Sequence, residues 1–495
     1  MIQKLKENKI VLYLITVILS FLVMIPLFRF HLTSDGYSHI MTFKSMNSIL
    51  NLNSSINLAN PLISFGGRPL SDFVIYFSNA IGFNIIENQL FFNIGAVIIT
   101  LVSMYLMNKY IIKITNNKVT SLLLLMMSLL FIFFNAFSFE LYLFSVMFSI
   151  AVQYLFMTIA LINLSKKNNL MYIIFAVFFN FLGACIYQGA SVLYLSLGII
   201  IVGYLNRESK FKDYVFEMFK IFLVFGISLL LNIFYNAILP IENRYATETT
   251  LFDKIKYVLK AQLGIWSNTF EIFLKYTFIL SIIVLLIFAV IVIIKGKKKT
   301  KTNNFITLFL MLFTTVSVSY LAIVTSGIII VPRAILIISS IPGLICLYLL
   351  MFNEEKVKYV KEFLTLYSIV FYILLIEAST SMAYHLVYTN KIDNKEINQI
   401  YEEIKNKNIK YIGFTFDKYL TYNRSNRYQS MDAFVRSFST AWSDINSFNY
   451  YTNENYEKIE VPMSIKNYCS NKNWDSLNLE EQLIIENDRL YICVY

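Results

Sequence analysis

Cysteine is sparse in this chain, and its four copies, Cys185, Cys346, Cys469 and Cys493, form no CxxC pair and show no metal-ligand spacing. No metal site is visible from cysteine. The first two fall inside apolar runs; for Cys469 and Cys493 a disulfide and two free thiols are both open. Charge is also scarce. Asp, Glu, Lys and Arg make up only 15% of the residues, well below the roughly 25% of ordinary soluble domains. No internal repeat is visible, so a transporter built from inverted repeats gets no support. The first apolar run lacks a small-residue cleavage site and is too long for a signal-peptide core, so it reads as a retained span.

What fills the chain instead is apolar. Of the 495 residues, 57% are hydrophobic and 16% aromatic, and the mean hydropathy is +0.60. These values place the protein in a membrane. The formal charge of +11 could suggest a polyanion partner. The lysines, however, gather in short segments between apolar runs, which is topogenic bias, so nucleic acid is not expected as a partner.

Apolar runs of roughly 17 to 25 residues can cross the hydrocarbon core as helices. Eleven are found, over 9–28, 89–108, 119–136, 141–164, 170–186, 190–205, 216–238, 274–294, 304–324, 334–352 and 363–383. With a cytoplasmic N terminus, the inside segments are MIQKLKENK, NKYIIKITNNK, SKKNN, NRESKFKDYVFEMFK, KGKKKTK and NEEKVKYVK. All are lysine-rich. The outside segments are 29–88, the turns near Glu140 and Gln188, 239–273, 325–333 and everything after 384, which are poor in basic residues for their length, as the positive-inside rule requires.

Two outside segments are too long for turns. Within 29–88, RPLSDFVIYFSNAIGF places Pro69 in a first helical turn and repeats Leu70, Phe73, Val74, Phe77 and Ile81 at helical spacing, which predicts a helix lying on the membrane surface. After 384 the composition turns polar: KIDNKEINQIYEEIKNKN reads as a helix, IKYIGFTF and RLYICVY as strands. The expected fold is an all-α polytopic membrane protein with about eleven transmembrane helices, residues 1–383 with the first external loop at 29–88, followed by a small extracytoplasmic α/β domain, 384–495.

Ionisable residues near span ends are costly and therefore informative. Asp35 and His39 stand four apart in HLTSDGYSHI, and Arg68 follows the glycine pair of FGGRPLSD. Glu140 in NAFSFELY, Tyr187 and Gln188 in CIYQGA, Arg244 in PIENRY and Arg333 in IIIVPRAI complete the outer set. An arginine amid IIIVP and AILII needs an anionic partner or a polar cavity. Plain readings stand beside these: Asp35 or Glu140 as a helix cap, Asp72 as a helix-dipole residue, Arg29 as a snorkelling anchor, Arg333 as a headgroup anchor.

One carboxylate with several arginines suits sugar transfer from a polyprenyl-phosphate carrier. The leaving phosphate needs charge stabilisation, which arginines supply, and the acceptor hydroxyl needs a base. A glycoside hydrolase would use paired carboxylates instead.

The order of features, a first span, an Asp in the first external loop, a surface helix, many further spans and a hydrophilic C-terminal domain, resembles the GT-C class of polytopic glycosyltransferases. More narrowly, SDGYSHI, GGRPLSD, the YQ of CIYQGA and the PR of VPRAIL are similar to the bacterial Gtr type II O-antigen glucosyltransferase family. That family's first motif has two acidic residues followed by a basic one; here Gly36 stands at the second acid and His39 near the basic position. The resemblance implies Asp35 as catalytic base and Arg68 as a phosphate or sugar contact, with Glu140, Tyr187, Gln188 and Arg333 lining the same cavity. It implies a polyprenyl-phosphate-linked sugar donor and a surface glycan acceptor, with membrane lipid around both. No cofactor is assigned; a divalent metal is an open option, since Asp35, His39 and Glu140 could supply ligands but no spacing makes them a site. A lipid-linked oligosaccharide flippase or exporter, an O-antigen ligase or polymerase, and a glycan sensor are the alternatives.

Overall fold

The computed structural model of the protein describes residues 9–37, 40, 69–119, 121–144, 148–166, 169–238, 253, 256, 272–326, 332–353, 357, 359–418, 436–437 and 440–495. Each of the eleven apolar runs contains helix among its described residues. Helix α1 (Lys9–Met24) tightens into a 3-10 turn over Ile25–Phe28 at Pro26. Then follow α2 (Pro69–Ala80), α3 (Gln89–Ile114), α4 (Leu122–Phe133), α5 (Ala136–Leu143), α6 (Phe148–Leu164) and α7 (Leu170–Ala184). Next come α8 (Val192–Leu205), entered through a 3-10 turn at Gln188–Ser191, then α9 (Phe211–Ile238), α10 (Ile272–Lys295) and α11 (Lys301–Ser326). A kinked 3-10 segment, Pro332–Ser340, leads into α12 (Ile341–Phe352), and α13 (Val360–Ile404) closes the helical body.

Among the described residues, eight helices are long and apolar enough to cross a membrane, or nine if α4 and α5 form one broken span bent by 55°. The protein is thus a multi-pass, mostly helical membrane protein, and among the described residues there are fewer full-length spans than the eleven expected. Two differences account for this. Helices α6 and α7 have only 17 and 15 residues. The runs expected at 119–136 and 141–164 are divided differently, because Asn135 breaks the first of them. Its side chain accepts from Ser138 N at 3.0 Å and so caps α5 as a new helix.

Helices α4, α8 and α12 form the centre of the body and are buried along nearly their whole lengths. Gly343 permits the closest approach, since a Cβ there would lie 2.8 Å from the Ser128 carbonyl oxygen of α4. Small residues let packed membrane helices approach in this way. The outer helices leave Leu230, Phe234, Leu280, Ile294, Phe309 and Phe313 exposed, as lipid-facing surfaces do. Helix α2 forms where predicted. Its Phe73 and Phe77 stack, exposed, at 6.0 Å, while Ser71 on the opposite side meets Ser149 of α6 at 3.0 Å.

Helix α13 has 45 residues with no proline or glycine, a length of roughly 68 Å at 1.5 Å per residue. It outruns a hydrocarbon core of about 30 Å. The last apolar run and the polar helix predicted after 391 are therefore one rod, and the division expected at 383/384 falls inside it. Beyond it lie β1 (Tyr411–Phe416), α14 (Asp444–Thr452), β2 (Glu457–Lys458), α15 (Met463–Ser470), α16 (Leu479–Gln482), β3 (Leu483–Glu486) and β4 (Arg489–Val494). The sheet order is β2-β1-β4-β3, with β1 parallel to both β2 and β4, and β3 antiparallel to β4. Both predicted strands are its central pair. One face of the sheet packs Ile412, Phe414, Leu490 and Ile492 on Ile397, Ile400 and Ile404 of α13. On the other face, Cys469 of α15 is disulfide-bonded to Cys493 of β4, with Cα atoms 5.6 Å apart.

A buried ionic cluster fastens this unit to the rod. Arg436, 1% exposed, lies between Asp393 and Glu396, one turn apart on α13. Its Nε donates to Asp393 Oδ1 at 2.7 Å, its guanidinium stands 5.0 Å from the Tyr495 ring centre, and Tyr495 donates its hydroxyl to Glu396. Ser437 adds its N–H and hydroxyl to Asp393 Oδ2 at 3.2 and 2.6 Å. Removing the cation would leave two buried acids uncompensated. Arg436→Met is expected to destabilise the C-terminal unit by about 3–5 kcal/mol, seen as early proteolysis of that unit in the detergent-purified protein; protease resistance equal to wild type would refute this role.

Candidate functional site

The site grows from one acid inside the apolar body. Glu140 of α5 is fully buried, and its carboxylate accepts twice from Arg333: Oε2 from the backbone N–H at 2.8 Å and Oε1 from Nη1 at 3.2 Å. The guanidinium carbon lies 4.6 Å from the Phe144 ring centre. Arg333 is thereby held at the start of the kinked Pro332–Ser340 segment. Ser339 fastens the other end of that segment to α5, accepting from Phe137 N at 3.1 Å and donating to Asn135. Glu140 does not cap its helix. Asn135 does, and the anion that the sequence demanded for Arg333 is internal.

Tyr187 and Gln188 join the same cluster. The Tyr187 hydroxyl donates to the Arg333 carbonyl at 3.2 Å, and Gln153 of α6 donates to the Tyr187 carbonyl at 2.7 Å. Gln188 donates to Asn232 of α9 at 3.3 Å. The backbone N–H of Leu70, two residues after Arg68, donates to Cys185 O at 3.3 Å, which ties the start of α2 to the turn bearing Tyr187.

The first loop approaches from the other side. His31 is buried, with Nδ1 2.6 Å from Arg29 O and Nε2 2.8 Å from Leu143 O, one turn beyond Glu140 on α5. Carbonyls only accept, so a neutral ring satisfies one of them and an imidazolium both. Burial outweighs those two contacts and pulls the His31 pKa below its ordinary value of 6.5. Gln89 of α3 accepts the His31 N–H at 3.2 Å. Beyond it, Asn390 of α13 closes a two-way amide contact with Leu32, donating to its carbonyl and accepting from its N–H, each at 2.8 Å. Residues 34–37 form a helical turn whose Gly36 N–H is capped by Thr33 Oγ1 at 3.2 Å. Thr33 is the cap, which leaves the Asp35 side chain to other work.

Asp35, partly exposed, accepts the indole N–H of Trp442 from the C-terminal unit at 3.0 Å. Tyr37 beside it packs on Tyr450 at 5.7 Å and shares a 2.6 Å hydroxyl contact with Tyr451, whose hydroxyl also reaches the Asn390 carbonyl at 3.3 Å. The loop is therefore clamped between the helical body and the unit that follows α13.

Of the residues singled out in the sequence, Glu140, Tyr187 and Arg333 form one bonded cluster, with Gln188 adjoining Tyr187. Asp35 lies on a loop anchored to the same short helix α5 and engages a different partner. His39, Arg68 and Arg244 lie outside the described residues. Sequence reading missed Trp442, Tyr451, Asn390 and Gln153. Trp442 carried the one usable signal, being one of only three tryptophans in the chain. Among the described residues, no group of three or more His, Cys, Asp or Glu side chains could hold a metal ion. No protein-family model matches the chain, and no curated protein matches it.

Two outcomes follow from this geometry. Glu140→Gln leaves the Arg333 cation without its buried counter-charge and is expected to destabilise the protein by about 3 kcal/mol; an unchanged thermal midpoint in detergent would exclude that role. Because the folded His31 pKa is lowered, the unfolded chain binds more protons as pH falls past 6.5, so stability is lost on acidification. Midpoints measured from about pH 8 to about pH 5 should decline less steeply in His31→Gln than in wild type, and parallel curves would count against it.

Proposed function

We propose that the protein is a GT-C-like membrane glycosyltransferase acting on the extracytoplasmic face. In this reading it moves a hexose, glucose by the resemblance, from a polyprenyl-phosphate donor to a cell-surface glycan. The observation that carries the proposal is the placing of Asp35: a partly exposed carboxylate at the junction of an apolar helical body and a polar C-terminal unit, with one oxygen held by Trp442. A lipid-borne donor reaches such a junction from the bilayer, and a glycan acceptor reaches it from water. The lysine-rich alternate segments and the Cys469–Cys493 disulfide both favour an extracytoplasmic C-terminal unit.

Asp35 is the base. As the acceptor hydroxyl oxygen bonds to the anomeric carbon, its proton passes to the Asp35 carboxylate, and the bond from that carbon to the phosphate oxygen breaks with its electron pair. The polyprenyl phosphate leaves as an anion, which needs guanidinium contacts more than a proton. Arg68 is assigned to that anion, with His39 and Arg244 in the same outer set. Arg333, 16% exposed and paired with Glu140, is assigned to the same outer set, while Tyr187 and Gln188 shape the adjoining wall. One displacement inverts the anomeric centre.

In vesicles carrying the purified protein, synthetic polyprenyl-phosphate-glucose and crude surface glycan, wild type should form a glucosylated product of inverted configuration. Asp35→Asn should keep the wild-type thermal midpoint and lose transfer by about 10²-fold or more. Transfer by Asp35→Asn at the wild-type rate, or none by wild type under any donor, would refute the reading.

A further inference from the structure

A recess opens at the other end of the helical body from the Glu140–Arg333 pair. Helices α8 and α12 start beside Tyr187 and the Arg333 segment and run 14 and 12 residues away from them, roughly 20 Å at 1.5 Å per residue. There Arg207, just past α8, and Phe352, at the end of α12, meet the end of α10 at Gly296 and Lys297 and the start of α11 at Thr300 and Asn304. Together they enclose about 290 Å³, counted to the open mouth.

Asn304 is the odd residue in this recess. It is only 4% exposed, its N–H donates to Thr300 O at 2.9 Å, and its carbonyl accepts from the Tyr348 hydroxyl at 3.0 Å. The backbone is satisfied, yet among the described residues neither end of the side-chain amide has a hydrogen-bond partner. Asn303 beside it, equally buried, gives its Nδ2 to the carbonyls of Arg207 and Ser209 at 3.0 and 3.1 Å. A buried amide without partners is costly, and it calls for something in the recess to bond.

The surroundings set the charge of what fits. Carbonyls at the ends of α10 and α12 are occupied, Val292 O by Gly296 N–H at 2.9 Å and Leu349 O by Asn353 N–H at 3.1 Å. Donors are in excess. The first N–H groups of α11 have no partner earlier in their helix, Thr300 Oγ1 turns instead to Lys297 O at 3.1 Å, and five lysines stand among residues 295–301. Arg207 is engaged with Tyr204, donating Nη1 to its carbonyl at 2.6 Å with the guanidinium 3.9 Å from its ring centre, and enters only as a nearby charge. Topogenic bias accounts for lysines between spans. It does not account for the unmet amide beneath them.

We propose that this recess is a phosphate-binding site, taking the phosphoryl group of a membrane lipid or of a soluble phosphate. Phosphoryl oxygens accept from the first N–H groups of α11, from Lys297 and from Asn304 Nδ2, while a P–OH or headgroup hydroxyl donates to Asn304 Oδ1. Ile294 and Phe305, next to the recess in the chain, are exposed, which sets its mouth beside lipid-facing surface. Binding here involves no step of the proposed sugar transfer, so either can fail alone.

The full-length protein in lipid-free, phosphate-free micelles is titrated with inorganic phosphate to about 10 mM, with chloride holding the ionic strength fixed. Parallel titrations mix phosphatidic acid or diacylglycerol into the micelles, and the thermal midpoint reports binding. A saturable rise is expected with one of the two phosphates and none with diacylglycerol. Asn304→Leu, which replaces the amide by an apolar group of similar shape, should raise the apparent Kd about tenfold, and Lys297→Gln about fivefold. Saturation by inorganic phosphate identifies a soluble source; saturation by phosphatidic acid alone identifies a headgroup. No saturable rise with either phosphate, a Kd unchanged in Lys297→Gln or in folded Asn304→Leu, or an equal rise with diacylglycerol overturns the site. If Asn304→Leu does not fold, Lys297→Gln decides by itself.

Discussion

A single buried carboxylate, that of Glu140, satisfies both the peptide N–H and the guanidinium of Arg333. In hydrocarbon an unpaired cation or amide is costly, and that acid supplies a counter-charge to the one and an acceptor to the other. The consequence reaches beyond the pair. With Arg333 held, the kinked segment Pro332–Ser340 is seated on α5, Tyr187 has a carbonyl to bond, and the buried helix α12 has a defined start. The same helix α5 presents the Leu143 carbonyl to His31. One short helix therefore positions both the basic side of the site and the root of the loop that carries Asp35.

The second organising element is the length of α13. Because it passes from the apolar body into the C-terminal unit without a break, the sheet is built directly on the helix that also crosses the body. Asn390 fixes Leu32 in both directions, and the buried Arg436 cluster locks the other side of the unit onto Asp393 and Glu396. A flexible linker would leave residues from the two ends of the chain to meet by chance. A rod and two fastenings hold Trp442 at Asp35, a separation of 407 residues in sequence. That meeting is the feature on which the proposed chemistry depends.

Much of the architecture was legible beforehand because it follows from local composition. Lipid demands runs of apolar residues, and each of the eleven runs contains helix among its described residues; a helix appears at Pro69–Ala80, and IKYIGFTF and RLYICVY pair as adjacent parallel strands. Boundaries were less legible where one polar residue decides them. Asn135 lies inside an apolar run, and hydropathy does not register that its side chain caps a new helix and bends the chain by 55°. At 383/384 the case is the opposite: composition changes there, but helical backbone does not, since no residue interrupts it.

Sequence by itself determined that this is a multi-pass helical membrane protein with a small sheet at its C-terminal end, and it picked out Glu140, Tyr187, Gln188 and Arg333 as polar residues with business near span ends. Those inferences rest on the cost of placing charge in hydrocarbon, which is a property of each residue and its neighbours in the chain. Only the tertiary structure decided which of them touch: that Glu140 answers Arg333, that Thr33 and not Asp35 caps its turn, that Cys469 and Cys493 pair, and that Trp442 lies on Asp35. Contacts of this kind are set by packing between segments tens to hundreds of residues apart, and no local pattern encodes them.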